Sequence, residues 1–270
     1  MPSLTMLDTI TQAARNAGAL LRDQPRPAPA SSMAAFQATF EAVEAPAATL
    51  LATSLAAVRP GVAWAAEMDT FLPPTGERWI VDVLDGAVQY LQDLPHWCVT
   101  ITLVRDRRAI ATVLHNPLLG ETYAAAIGFG ARRNGLPLSP STKTDLRHAL
   151  IATSQPPFAG TQPDAVDQAG RSLSALLPAV SAVRNLGPTS WQIADTAAGR
   201  LDGFWEYGRD DANLIGAALI ASEAGAAVTD LNGRPWQTGS DSFLTAAPAL
   251  HSQLLALLGA GNRPVQAQMA

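Results

Sequence analysis

The residues best suited to chemistry are the two carboxylates of Trp79-Ile80-Val81-Asp82-Val83-Leu84-Asp85-Gly86-Ala87. Asp82 ends an apolar run and Asp85 follows three residues later, just before a glycine that permits a sharp turn. A strand that delivers carboxylates into a turn suits a hard divalent cation, which takes oxygen ligands and leaves positions open for water and phosphate. Taken alone, the same letters also describe a capping aspartate before a surface turn, which is the commoner use.

Other candidate groups are weaker. His96, His115, His148 and His251 are scattered without the spacing of metal ligands and read as packed or surface histidines. The glycines of Gly128-Phe129-Gly130-Ala131-Arg132-Arg133-Asn134-Gly135 invite comparison with a phosphate-binding loop, but no helical pattern follows them. Cys98 stands in an apolar run and reads as core.

The elements that must position the acidic pair can be read from periodicity. Leu4, Leu7, Ile10, Ala14, Ala17 and Leu21 recur at helical spacing before Pro25, Pro27 and Pro29. A second helical pattern runs from Phe36 to Val58, and Pro46 is expected to start or break part of it. Apolar runs at 62–66, 79–83, 98–105, 109–115 and 121–126, separated by Arg105-Asp106-Arg107-Arg108, Asn116-Pro117 and Asn134-Gly135, predict a mainly antiparallel meander. Beyond about Thr144 strands and helices alternate. Strands are expected at 149–153, 182–185, 203–207, 227–229 and 243–246, and helices at 164–177, 190–198, 213–223 and 248–258. The organisation expected is an α+β part over 1–143, an α/β part over 144–262 and a mobile tail over 263–270.

Composition narrows the function classes. With 48% hydrophobic and 15% charged residues, the 270-residue chain can bury a large core. A formal charge of -5 and an aromatic share of 6% offer neither a basic field nor a stacking surface, so direct nucleic-acid binding is not expected. An anionic substrate must then be held locally, by a bound cation or a helix N-terminus. The single cysteine excludes an intrachain disulfide, and no leader or uncharged apolar span is evident, so a cytoplasmic protein off the membrane is expected.

Three blocks give the sequence a family likeness. The stretch from Trp79 to Val104 resembles the first signature of the inositol monophosphatase family, W-I-I/V-D-P-I/L-D-G-T followed by an aromatic residue and a spaced proline. The turn and strand from Gly128 to Ser141 resemble that family's G-x-G-A-x-x-N-G segment. The stretch from Arg200 to Trp236 resembles its second signature, in which a strand ending in Glu leads to W-D-x-A-A-G and E-A-G-G. The resemblance implies a layered αβαβα sandwich, of mixed α/β and α+β class, with the catalytic site between its two parts. It also implies a homodimer and a Mg²⁺-dependent phosphomonoesterase acting on a sugar or polyol phosphate such as inositol monophosphate.

Carried over position by position, the resemblance makes Glu67, Asp82, Leu84 (through its carbonyl), Asp85 and Asn213 the metal-site positions. Glu67, Asp82, Asp85 and Glu44 are the catalytic candidates, and Asp85, Gly86, Ala87, Gly187, Thr189 and Glu206 the substrate-binding ones. Several positions depart from the family pattern. Ala87 replaces a threonine, Asn213 stands where the W-D aspartate belongs with Ala212 for the tryptophan, Glu44 replaces an aspartate in an altered first loop, and Pro188 interrupts the Gly187-Thr189 wall. Asp210 and Asp211 lie three and two residues before Asn213, and a rotation of about 100° per residue is expected to aim both elsewhere. These departures predict one firm cation site, a weakened second and attenuated hydrolysis. The alternative is a phosphatase-like protein kept for binding or regulation.

Overall fold

The computed structural model describes residues 3–27, 30–65 and 72–260. Helix α1 (Leu4–Asp23) opens on Ser3, whose hydroxyl accepts the Met6 N–H at 3.1 Å, and buries Leu7, Ile10, Ala14, Ala17 and Leu21. Helix α2 (Met33–Val58) opens on Ser32 in the same way and runs unbroken through Pro46, where a break was expected. The proline removes one backbone donor from an exposed position, while Val43, Ala47, Leu51 and Leu55 keep the inner face packed on both sides of it. Among the described residues α2 is the one helix long and apolar enough, by length and composition, to cross a membrane; it is seated along α1.

The first sheet has seven strands in sequence order: β1 (Ala63–Trp64), β2 (Glu77–Asp85), β3 (Cys98–Arg105), β4 (Arg108–Asn116), β5 (Glu121–Ala126), β6 (Ala131–Arg133) and β7 (Leu136–Pro137). All neighbouring pairs are antiparallel except β1 with β2. Asp106 and Arg107 both take positive φ in the β3–β4 connection, as do Asn134 and Gly135 between β6 and β7, the conformation that two-residue hairpins require. A short helix, α3 (Ala87–Leu91), follows β2 and was not expected from periodicity, which needs more than one turn to register.

The second sheet has the order β11-β12-β10-β8-β9, with β8 (Leu150–Thr153), β9 (Ala182–Arg184), β10 (Gly203–Tyr207), β11 (Ala227–Thr229) and β12 (Ser242–Ala246). Strand β8 pairs in parallel with β9 and β10, and β12 pairs antiparallel with β10 and β11. Its outer face carries α4 (Pro163–Leu176) and α7 (Pro248–Ala260).

Between the sheets lie α5 (Thr189–Ala197) and α6 (Asp211–Glu223). Every residue of α5 is buried, and so is every residue of α6 from Leu214 to Ala221. A helix buried on all sides needs a partner on each face, which only a central layer supplies. With α1 and α2 on the far face of the first sheet, the chain stacks as α, β, α, β, α. One side of β2, carrying Trp79, Val81, Val83 and Leu84, packs against α1 and α2, while Ile80 on the other side joins α5 and α6.

Close approach of α6 to the first sheet depends on Gly216. A Cβ there would lie 2.2 Å from Thr102 Oγ1 and 2.7 Å from Thr112 Oγ1, two buried hydroxyls bonded to each other at 2.8 Å. Gly216→Ala is therefore expected to lower stability by about 1–3 kcal/mol through overpacking, seen as a reduced denaturant midpoint.

Candidate active site

Regular strand geometry would send Asp82 and Asp85 to opposite faces, because side chains alternate with a period of two. A bulge prevents this. Asp82 pairs with Thr100 and Asp85 with Cys98, so three steps along β2 match two along β3. The extra residue returns Asp85 to the face that holds Ile80 and meets α5, where it accepts a hydrogen bond from the Ser190 hydroxyl. Asp82 Oδ1 accepts the Leu84 N–H at 3.0 Å, which fixes the turn from within. Gly86 closes the strand at φ 94°, and a Cβ there would sit 2.9 Å from the His96 carbonyl oxygen.

The opposite wall comes from α5, β10 and the start of α6. Gly187 lies so close to the Gln89 side chain that a Cβ would fall 2.2 Å from Nε2, which joins this wall to α3. The Thr189 hydroxyl lies 2.7 Å from Ser154 Oγ and 3.4 Å from Glu206 Oε2. Ser190 and Cys98 both reach Asp85 Oδ2, the thiol at 3.7 Å, and stand 3.8 Å from each other. Burial and the neighbouring Asp85 charge push the Cys98 thiol well above its ordinary range, so it stays protonated and can donate.

The aspartates before Asn213 divide. Helix α6 begins at Asp211, two residues earlier than the periodicity suggested, which makes Asp210 its N-cap. Three residues turn through about 300°, so Asp210 returns to within about 60° of the Asn213 face. Asn213 Nδ2 accordingly donates to Asp210 Oδ1 at 2.8 Å. Asp211 is aimed away, as expected: its Oδ1 accepts the Gly239 N–H at 2.7 Å and its Oδ2 lies 3.9 Å from Arg107.

Glu206 is completely buried and meets Asp210 as a hydrogen-bonded neighbour, rather than standing in solvent or lining an open pocket wall. Burial, reinforced by the Asp210 charge, raises the Glu206 carboxyl far above its ordinary range. Burial pushes Asp210 up to about 7, with the Asp85 charge acting in the same direction. Two adjacent buried carboxyls resist ionising together, so one of them holds a proton in the metal-free protein.

The other candidates fall as follows. Leu84 is buried with its side chain in the core, and Ala87, half-buried, brings a methyl group to the first turn of α3 where a hydroxyl was wanted. Glu44 is half-buried on α2, the helix that packs against β2. Glu67 and the tail over 263–270 lie outside the described residues. His115 is a packed residue, its Nδ1 2.9 Å from Thr122 Oγ1 and its pKa lowered to about 4 chiefly by burial. Ser190 escaped the sequence reading because a serine after Gly-Pro-Thr carries no spacing that links it to Asp85, 105 residues away.

The donor set suits a hard cation. Asp82 and Asp85 offer carboxylate oxygens on one face. Among the described residues, no three His, Cys, Asp or Glu side chains form a metal-holding group.

Comparison with known proteins agrees with the fold. The family model described as the inositol monophosphatase family matches residues 4–262. Nus factor SuhB of Pseudomonas aeruginosa is 33% identical over 199 residues, 71% of each chain. An inositol-1-monophosphatase of Mesorhizobium japonicum is 32% identical over 194 residues, 71% of this chain and 70% of the relative. The solved structure of inositol monophosphatase from Anabaena superposes with a TM-score of 0.80 at 25% identity, covering 95% of this chain and 96% of that one.

The carboxyl pair should give stability a distinct pH dependence. Between the ordinary value of 3.8 and about 7 the folded protein holds a proton on Asp210 that the unfolded chain has released, so stability falls as pH rises through that window. In metal-free protein, Asp210→Asn is expected to become more stable relative to the unmodified chain from about pH 4 to about pH 7, by on the order of a few kcal/mol. Denaturant unfolding at several pH values measures this directly.

Proposed function

The chain belongs to the inositol monophosphatase family, and we propose that it hydrolyses a small sugar or polyol phosphate with a divalent cation, Mg²⁺ by preference, at the end of β2. The observation that carries this reading is the bulge that sets Asp82 and Asp85 on one face. Asp82, Asp85 and the Leu84 carbonyl hold the cation, and Glu67 completes the set by resemblance. The cation, when bound, polarises the phosphoryl oxygens and lowers the pKa of an attacking water.

The chain's own groups do the positioning. Ser190 and Cys98 hold Asp85 Oδ2 from behind, which fixes the orientation of the carboxylate. The turn at Gly86, the loop at Gly187 and the Thr189 hydroxyl bound the space for the ester, and Glu44 stands on the helix behind β2. Ala87 supplies no hydroxyl to orient a water, and Asn213 supplies no charge for a second cation, so turnover is slow compared with relatives that keep both. With Glu206 enclosed, recognition of the alcohol part rests on other groups. A cytoplasmic homodimer is in keeping with the family resemblance.

A second reading, a phosphatase fold kept for binding or regulation, is supported by the joint loss at Ala87 and Asn213 and by the enclosure of Glu206. The Pseudomonas aeruginosa relative that is named a Nus factor points the same way.

Phosphate release from myo-inositol 1-phosphate and a panel of sugar phosphates separates the two readings. Mg²⁺-stimulated release that Asp82→Asn abolishes is expected; none across the panel at millimolar Mg²⁺ would leave the binding role. Ala87→Thr combined with Asn213→Asp should raise kcat/KM by about tenfold or more.

A further inference from the structure

We propose that the cavity between the β3–β4 hairpin, helix α6 and the segment over 228–238 binds a small organic anion with an apolar body, separately from the ester site. The inference does not depend on the phosphatase reading. The cavity has a volume of about 400 Å³, within the range of small-molecule sites. Ile215, Leu219, Val228 and Trp236 give it an apolar wall, and Arg107 and Arg108 line it as well. No Asp or Glu is among its lining residues. In a chain of formal charge -5, two adjacent guanidinium groups beside such a wall make a locally positive field.

The arginines of the hairpin have different partners. Arg105 pairs with Glu77. Arg107, at positive φ in the turn, donates from Nε to Thr238 Oγ1 at 2.8 Å and from Nη2 to the Thr238 carbonyl at 2.7 Å, while its contact with Asp211 is 3.9 Å. It is held in place mainly by neutral oxygens, so most of its charge stays available. Arg108 begins β4, and its exposed side chain has no hydrogen bond or ion pair among the described residues. The cavity is also formed before any ligand arrives. Arg107 pins Thr238, Asp211 Oδ1 takes the next N–H, that of Gly239, at 2.7 Å, and Trp236 packs edge to face on Phe243 with ring centroids 5.4 Å apart. A preformed wall lowers the ordering cost of binding, and a carboxylate gains charge-assisted hydrogen bonds from guanidinium that a neutral ligand of the same shape forgoes. A second cavity, between α1 and strands β5 and β6, also holds two arginines, Arg15 and Arg132, but there Asp8 joins the lining and offsets their charge.

Calorimetric titration of metal-free protein with naphthalene-2-carboxylate, naphthalene-2-carboxamide and acetate tests the charge and the apolar body separately. The aromatic carboxylate should bind at one site with a Kd on the order of 1 mM or tighter, and more weakly as salt is raised. The carboxamide, which lacks the charge, and acetate, which lacks the ring, should each bind at least about fivefold more weakly. Arg108→Gln should weaken the aromatic carboxylate by about fivefold, and Ser222→Trp, at the exposed rim of the cavity, by about tenfold or more. Arg132→Gln in the other cavity and Asp82→Asn at the cation site should match the unmodified chain. Absence of binding, equal binding of carboxamide or acetate, or unchanged binding in both Arg108→Gln and Ser222→Trp would overturn the proposal. If Ser222→Trp fails to fold, Arg108→Gln decides by the same criterion. Because no cation or phosphate ester enters the titration, its outcome is independent of whether the chain hydrolyses phosphate.

Discussion

One irregularity in one strand governs the site. Had β2 stayed in register through Asp85, that carboxylate would have been driven into the hydrophobic layer beneath α1 and α2, where Val83 and Leu84 lie. An uncompensated carboxylate there would either neutralise or unfold the edge of the sheet. The extra residue opposite Val99 avoids this and gives both aspartates the same outlook. The groups around them are then arranged to meet them: Cys98 on the neighbouring strand β3, and on the opposite wall Ser190 on α5 and the acidic start of α6.

The central helical layer sets the terms for that wall. Because α5 and most of α6 are covered by a sheet on each side, buried polar groups in this layer must find partners inside the protein. Most do so: Gln192 bonds the Leu186 N–H and the Thr153 carbonyl, and Asp195 bonds Tyr123 and Arg200. Against that background Glu206 on β10 and Asp210 at the start of α6 stand out as two buried carboxyls that meet each other. Low dielectric raises the cost of ionising both, which keeps a proton on one of them.

Chemical losses and gains in this chain lie close together. The hydroxyl missing at Ala87 and the charge missing at Asn213 weaken the site, while Asp210, Ser190 and Cys98 add polar groups around Asp85. Asn213 remains within the network as a donor to Asp210, so the position has changed its partner rather than become inert.

Much of the architecture was legible in the letters. Helical periodicity located α1, α4, α5 and α7 to within a residue or two, and the runs bounded by Asp106-Arg107 and Asn134-Gly135 marked the meander, because turn chemistry and apolar spacing act locally. The resemblance in three blocks identified Asp82 and Asp85 and the departures around them. What spacing could not supply was direction. Pro46 sits inside a helix because packing on either side outweighs one lost hydrogen bond. Asp210 faces the site because α6 starts at Asp211 and a turn of three residues nearly closes the circle. Glu206 is enclosed because β10 lies in the middle of the second sheet beneath α5. The sequence by itself determined which acids, helices and strands this protein has; the tertiary structure alone decided which acids face each other, since contacts such as Ser190 with Asp85 join residues far apart in the chain and depend on how two sheets close on the helices between them.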